Sequence, residues 1–210
     1  MRFYLVVPPA QERRLARLAT LAGDIARGRP QVRALTPVAW AFLAGLFGLL
    51  AQSAHLGWLT LAGLALFAGL AWIALFDARY FIIPDGAVIY LFVAGFVTSL
   101  IATPGDTPER LVAAGVGYGA LRLVAAAYEK WRGEAGLGLG DAKLFAAAGL
   151  WLGLAGLPIS LLVATFSALV TTIVSFRDGA LTSARQPIPF GPHLALGLWL
   201  VFVMGPRFAE

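Results

Sequence analysis

Carboxylates are the side chains in this sequence with the clearest capacity for chemistry. The 210 residues include no cysteine, which excludes a disulfide framework, an iron–sulfur centre and a cysteine-based zinc site. The two histidines, His55 and His193, lie far apart in the sequence and disfavour a histidine-only metal site. Catalysis would therefore have to come from carboxylates, hydroxyls or lysines, and only eleven residues are acidic.

Asp77 differs from most of these acidic residues in what precedes it. It follows an uninterrupted apolar stretch from Leu64 to Phe76, which predicts a membrane helix ending near the aspartate. The helix dipole disfavours a negative charge at that end. Because an ionisable group at a membrane boundary is costly, its presence there suggests a function.

Asp141 is the second candidate, and it follows the alternating glycines Gly136, Gly138 and Gly140. Such glycines disfavour a helix. They indicate a backbone that another segment of the chain, or the substrate, can approach closely. A phosphate-binding loop is disfavoured, because neither known glycine-rich phosphate motif is present and a free aspartate would repel phosphate. The alternative interpretation of Asp141 is an N-cap at the start of the next helix.

The elements that must position these residues are membrane helices. The composition is 60% hydrophobic and 13% charged with a mean hydropathy of +0.81, whereas soluble domains are about 25% charged. A span needs about 20 apolar residues, so no room remains for a separate globular catalytic domain. The predicted fold class is all-α, a polytopic transmembrane helical bundle. Apolar runs predict about seven spans, at 37–53, 57–76, 86–102, 111–128, 142–157, 159–176 and 190–204.

Basic residues set the predicted orientation of this bundle. Seven of the sixteen lysines and arginines precede the first span, and the net charge is +5. Residues 1–36 are predicted to be a basic cytoplasmic arm, either amphipathic on anionic lipid or a solvated tail, and residues 37–210 the transmembrane domain. Topology accounts for the positive charge, so no nucleic-acid partner is expected.

With the N-terminus in the cytoplasm, the end of the second span and the start of the fifth lie on the same face of the membrane. Asp77 and Asp141 can therefore meet. Two carboxylates a few ångströms apart cannot easily both ionise, so they share a proton. One then acts as general base on a water while the other donates to a carbonyl, which is aspartic-protease chemistry and requires no metal or cofactor.

Three separated motifs surround these aspartates. They are Phe76-Asp77 through Ile83-Pro84-Asp85; the run Glu134 to Leu144, followed by Gly149-Leu150-Trp151-Leu152-Gly153; and Ile188-Pro189-Phe190-Gly191-Pro192 with Ala195-Leu196-Gly197. Together they resemble the type IV prepilin peptidase family, membrane aspartic proteases of the GxGD type. The resemblance implies that Asp77 and Asp141 are the catalytic pair of the transmembrane peptidase domain, 37–210.

The same resemblance implies substrates and supporting residues. The substrates would be prepilins or pseudopilins, cut between a basic leader and a hydrophobic helix at the cytoplasmic face of the bacterial inner membrane. Lys143 would orient the pair or snorkel to the interface. Asp85 would be an N-cap or, like Glu134, a charge facing the leader. The full set of supporting or substrate-binding residues is Lys143, Gly138, Gly140, Asp85, Glu134, Pro189 and Gly191.

Departures from the family pattern narrow the expected activity. Bacterial members of full length also methylate the new N-terminus and carry two CxxC pairs that bind zinc. Since this sequence has no cysteine, zinc binding by such pairs is excluded and methyl transfer is not expected. Two other functions stay open from the sequence: a catalytically silent assembly or scaffold protein, and a small proton-coupled carrier whose carboxylates serve as proton sites.

Overall fold

The computed structural model describes residues 36–52, 57–133, 136–181, 183 and 186–205. These residues form helices and turns, without a strand, so the predicted all-α class is confirmed for the described part of the chain. Residues 1–35 of the predicted basic arm, and Glu134, lie outside it. The helices are α1 (Thr36–Gln52), α2 (Trp58–Tyr80), α3 (Asp85–Ala102), α4 (Thr107–Arg132), α5 (Leu139–Arg177) and α6 (Gly191–Met204), with a short 3-10 helix at Pro104–Asp106 before α4.

Four of these helices, α2 to α5, are long and apolar enough to cross a membrane, and α1 and α6 are shorter apolar helices. Five predicted spans agree with α1, α2, α3, α4 and α6 to within four residues at each end. The agreement follows from breakers that stand where the apolar runs stop, such as Pro84 before α3 and Pro104 before α4. The chain is therefore a helical membrane protein.

The two remaining predicted spans, 142–157 and 159–176, fall together in α5. The expected break at Leu157-Pro158 is wrong, because the helix is interrupted at Gly153, whose φ of 67° and ψ of −175° are accessible essentially to glycine alone. Pro158 lies inside the second half of the helix, where it has no N–H to donate to the preceding turn, but the helix continues through it.

The two halves of α5, 139–152 and 154–177, run in opposite directions. A Cβ at Gly117 of α4 would lie 2.7 Å from the Phe145 carbonyl oxygen and 3.5 Å from the Leu157 side chain. Twelve residues of a continuous helix would separate Phe145 and Leu157 by about 18 Å. The chain therefore turns back on itself at Gly153, although seven complete membrane spans stay a prediction.

Contacts with α6 agree with this reversal. Trp151, at the end of the first half, packs edge-on against Phe202 near the end of α6. Ser167 of the second half lies 2.9 Å from Nδ1 of His193, near the start of α6. The histidine is fully buried.

Arg110 binds the backbone carbonyls next to the break in α5. Its Nη1 donates to the carbonyl oxygens of Leu150 at 3.1 Å and Trp151 at 2.9 Å. The last carbonyls of a helix have no helical donor, and in a membrane they also have no water. One side chain of α4 thus satisfies the end of the first half of α5.

Helices α4 and α5 also approach each other closely. A Cβ at Gly149 would lie 2.5 Å from backbone atoms of Ala113 and Ala114. Small residues permit such contact between backbones, which is how membrane helices gain packing energy. This packing fixes the first half of α5, and with it the glycine run that precedes Asp141.

Candidate active site at the helix ends

The end of α2, the start of α5 and the start of α6 meet around two carboxylates. Asp77 lies in the last turn of α2, and Asp141 is the third residue of α5. Their exposed fractions are only 5% and 9%. The two carboxylates are close enough to repel each other electrostatically. Two aspartates 64 positions apart in the sequence are thus brought into one buried site.

Asp77 is oriented by the first residue of α6. Its Oδ2 accepts the backbone N–H of Gly191 at 2.9 Å. A Cβ at Gly191 would lie 2.6 Å from the same oxygen, so this close approach requires glycine. Pro189, two residues earlier, is buried in the segment that leads into α6.

Asp141 is oriented by the glycine run. Its Oδ2 accepts the backbone N–H of Gly138 at 3.1 Å, reaching back across the start of α5. Gly138 occupies the N-cap position, so the interpretation of Asp141 itself as the N-cap is wrong. An acidic side chain at the third helical position can satisfy the N-cap backbone, as in a capping box, and that bond leaves Asp141 facing the site.

Gly138 and Gly140 leave little room for larger side chains. A Cβ at Gly138 would lie 3.0 Å from Asp141 Oδ2, and one at Gly140 would lie 2.9 Å from the Cβ of Ile83. The alternating glycines therefore allow the start of α5 to pack against the connection between α2 and α3. This agrees with the close approach of chain to chain expected from their spacing.

Lys143 and Asp85 bind each other at the edge of the site. Lys143 Nζ lies 2.6 Å from Asp85 Oδ1, and their side chains are 42% and 67% exposed. The N-cap of α3 is Pro84, so the N-cap interpretation of Asp85 is wrong: its carboxylate is turned towards Lys143 instead. The two charged residues line a groove of about 350 Å³, whose other lining residues are Val88, Ile89, Phe92, Tyr118 and Ala146.

Phe81 and Ile83 also help to shape the site, although the sequence predicts no role for either. Phe81 follows α2 in a left-handed conformation with φ 56°, and its N–H donates to the Asp77 carbonyl at 2.8 Å. Such a conformation is unusual for a residue other than glycine. No sequence signal marks it, whereas the buried Ile83 could have been suspected from its place directly before Pro84.

The arrangement is suited to acid–base chemistry. Both carboxylates are buried, interact electrostatically and accept hydrogen bonds from backbone N–H groups. General acid–base catalysis needs groups held within hydrogen-bond reach of the reacting proton. Among the residues that the structure describes, no three His, Asp or Glu side chains cluster as metal ligands would.

The apolar helices and the paired aspartates at their ends define a helical membrane protein with a buried acidic site. Comparison with known proteins identifies it further: the chain belongs to the Type IV leader peptidase family, whose model matches residues 64–173. The family expected from the three motifs is thereby confirmed.

Several curated relatives carry the name prepilin leader peptidase/N-methyltransferase. The Neisseria gonorrhoeae protein is 31% identical over 182 residues, covering 87% of this chain and 62% of the relative. The Xanthomonas campestris protein is 35% identical over 150 residues, 71% of this chain and 52% of the relative. The Dickeya chrysanthemi protein is 36% identical over 170 residues, which cover 76% of this chain and 58% of the relative. The chain therefore spans between half and two thirds of these relatives. No solved structure matches it.

Proposed function

We propose that this protein is an aspartic endopeptidase that removes the basic leader from prepilins or pseudopilins at the cytoplasmic face of the bacterial inner membrane. The observation that carries the proposal is the pairing of Asp77 and Asp141 in one buried site, each oriented by a backbone N–H. The names of the relatives describe proteins of the same reaction class. Only peptide cleavage is proposed here, because the sequence has no cysteine for the zinc-binding pairs of the bifunctional members.

In the proposed mechanism the pair carries one proton when substrate binds. The ionised carboxylate takes a proton from water as the water oxygen attacks the scissile carbonyl carbon, and the protonated carboxyl donates to the carbonyl oxygen. Collapse of the tetrahedral intermediate breaks the C–N bond, and the amine leaves with a proton from the pair. The products are a leader with a new carboxyl terminus and a pilin with a new amino terminus.

Helix termini support a negative charge on the pair. The N-terminus of α6 meets Asp77 through Gly191, and Asp141 lies in the first turn of α5. Backbone N–H groups at these two helix starts favour anions, which offsets the unfavourable position of Asp77 at the end of α2. The site can thus hold one ionised carboxylate while most solvent is excluded.

The substrate's two parts suit the surroundings of the pair. The hydrophobic helix of the substrate would lie in the bilayer against the apolar helices of the protein. A helix suits this position because its backbone groups are hydrogen-bonded to each other and none is exposed to lipid. The leader of the substrate would remain at the cytoplasmic surface, where we propose that Glu134, beside the glycine run, meets the basic residues. Charge reversal of Glu134 should then raise KM for a prepilin with a strongly basic leader more than for one with fewer basic residues.

Cleavage of a prepilin by the purified full chain tests the proposed function. The reaction is run in liposomes with EDTA present, comparing the unchanged protein with Asp77→Asn and Asp141→Asn. Each variant should lose at least about 10²-fold in kcat, since each removes one general acid–base group. Asp106→Asn, at an exposed position before α4, is the matched control and should cleave normally.

Thermal unfolding of each variant confirms that the protein is still folded. Full cleavage by either site variant would overturn the assignment of the pair. If the folded, unchanged protein cleaves none of several prepilins, the scaffold function is favoured instead.

A further inference from the structure

We propose that Asp85 and Lys143 are positioning residues, whose ion pair holds the start of α5 against the end of α2 so that Asp141 faces Asp77. This inference rests on the proposed function and adds two residues to it. It also gives Asp85 a structural role within the protein. From the sequence, a contact between Asp85 and the substrate leader was equally plausible.

The ion pair connects the helix that carries Asp141 to the first residue of α3, shortly after the helix that carries Asp77. Asp85 begins α3, and only the four residues 81–84 separate it from the end of α2. Lys143 lies on the first turns of α5, two residues after Asp141. The distance of 2.6 Å between Lys143 Nζ and Asp85 Oδ1 therefore ties the start of α3, and through it the short connection after α2, to the start of α5.

An apolar contact lies beside the ion pair and acts in the same direction. The side chain of Ile83, which is buried, rests on the backbone at Gly140, one residue before Asp141. Gly140 leaves no space for a Cβ at this point. Both contacts thus hold the connection between α2 and α3 on the backbone that presents Asp141.

The ion pair acts on Asp141 through the backbone. The attraction between Lys143 and Asp85 holds the start of α5 against the start of α3. Two residues along a helix correspond to about 200° around its axis, so Lys143 points away from Asp141 and acts on it through Asp85 and the backbone.

The connection between α2 and α3 begins with a residue in an uncommon conformation. Phe81 has a left-handed backbone with φ 56°, which is unfavourable for a residue with a side chain, and its N–H caps α2 by donating to the Asp77 carbonyl. The ion pair and the contact of Ile83 with Gly140 hold the rest of this connection against α5.

A charge swap distinguishes positioning from substrate contact. Asp85→Asn and Lys143→Met should each lower kcat roughly fivefold with KM unchanged, the rate equivalent of the roughly 1 kcal/mol that a well-formed exposed ion pair contributes. Asp85→Lys and Lys143→Asp alone should lower kcat further, and the double variant should recover most of it. Asp106→Asn and Lys130→Met, at exposed positions away from the pair, are the matched controls.

Three outcomes would overturn the proposal. One is an unchanged kcat in both neutral variants. Another is a raised KM in Asp85→Asn that the swap does not repair, which would identify a substrate contact. The third is a swap that recovers nothing although the double variant unfolds at the same temperature as the unchanged protein.

A second measurement is independent of cleavage and so separates this proposal from the proposed function. Because the sequence has no cysteine, Asp77→Cys with Asp141→Cys creates a single thiol pair. A short thiol-to-thiol crosslinker should join the two more slowly when Asp85→Asn is added, and the charge swap should restore the rate. An equal rate in all three backgrounds would overturn the positioning role even if no prepilin is cleaved.

Discussion

Gly191 leaves the space that the Asp77 carboxylate occupies. Replacing Gly191 therefore tests whether the position of Asp77 determines activity. A Cβ there would lie 2.6 Å from the carboxylate oxygen that the Gly191 N–H binds. Gly191→Ala must therefore push the start of α6 or the Asp77 side chain aside. Since a misplacement of about 1 Å can cost about 10²-fold in rate, we expect kcat to fall by about that factor in the prepilin assay.

Gly119→Ala provides the control for this substitution. Nothing lies within 4 Å of a Cβ at Gly119, which is an interior residue of α4. Alanine should leave cleavage unchanged and stabilise the helix by up to about 1 kcal/mol, because glycine is the poorer helix former. Equal activity of Gly191→Ala and Gly119→Ala would contradict the clearance argument.

At this scale the sequence predicts residue types better than residue partners. Asp77 and Asp141 could be selected because a carboxylate at a membrane boundary is costly and both follow distinctive sequence patterns. The pairing of Lys143 with Asp85 could not be predicted, since it depends on the rotation of α5 relative to α3. The N-cap interpretations of Asp85 and Asp141 failed for a related reason: Asp85 is one position and Asp141 three positions after the N-cap, and the sequence marks a helix start only to within a few residues.

Among the helices, α5 depends on the backbone of one residue. Gly153 has φ 67° and ψ −175°, a conformation that any Cβ makes strained. Gly153→Ala should lower the free energy of unfolding by about 1–3 kcal/mol, measured by denaturation in detergent. Gly115→Ala in α4, with nothing within 4 Å of a Cβ, is the control and should not destabilise the protein.

Arg110 makes a separate contribution to the same turn. Arg110→Met removes the donor to the Leu150 and Trp151 carbonyls while keeping a long side chain. We expect a loss of about 1–3 kcal/mol in the free energy of unfolding, the cost of leaving buried polar groups without partners. Arg132→Met, an exposed residue in the last turn of α4, should have little effect. Equal stabilities of the two variants would show that the carbonyls are satisfied in another way.

The helix bounds were more predictable than the break within α5. Apolar runs between charged residues and breakers define α1 to α4 and α6, because transfer into lipid depends mainly on composition. The break was expected at Pro158, the strongest local signal in the apolar stretch. It occurs at Gly153 because the halves pack against α4 and α6, and Arg110 stabilises the turn through contacts distant in sequence.

For the whole molecule, the site occupies one end of the bundle. The end of α2, the start of α3 and the start of α5 lie there, whereas the connection between α3 and α4 lies at the opposite end. The distribution of basic residues predicts that the site end faces the cytoplasm. The family and the helical architecture could be anticipated from the sequence, whereas the catalytic role of Asp77 and Asp141 and the orientation stay predictions.

Single cysteines can test that orientation in sealed inner-membrane vesicles. Trp131→Cys places a thiol at an exposed position of the site end, and Gly105→Cys places one at the opposite end. A membrane-impermeant maleimide should label the first only in inside-out vesicles and the second only in right-side-out vesicles. The reverse pattern would contradict a cytoplasmic active site.

The one-residue turn at Gly153 also constrains how the chain is assembled during synthesis. From Leu144 to Phe176 there is no charged residue, and no polar loop separates the two halves of α5. The last carbonyls of the first half have their donor on Arg110 of α4, and the second half begins with N–H groups that have no helical acceptor, so neither half satisfies its own end at the turn. We therefore expect the translocon to deliver α5 as a closed hairpin, onto an α4 that was made earlier and already carries Arg110.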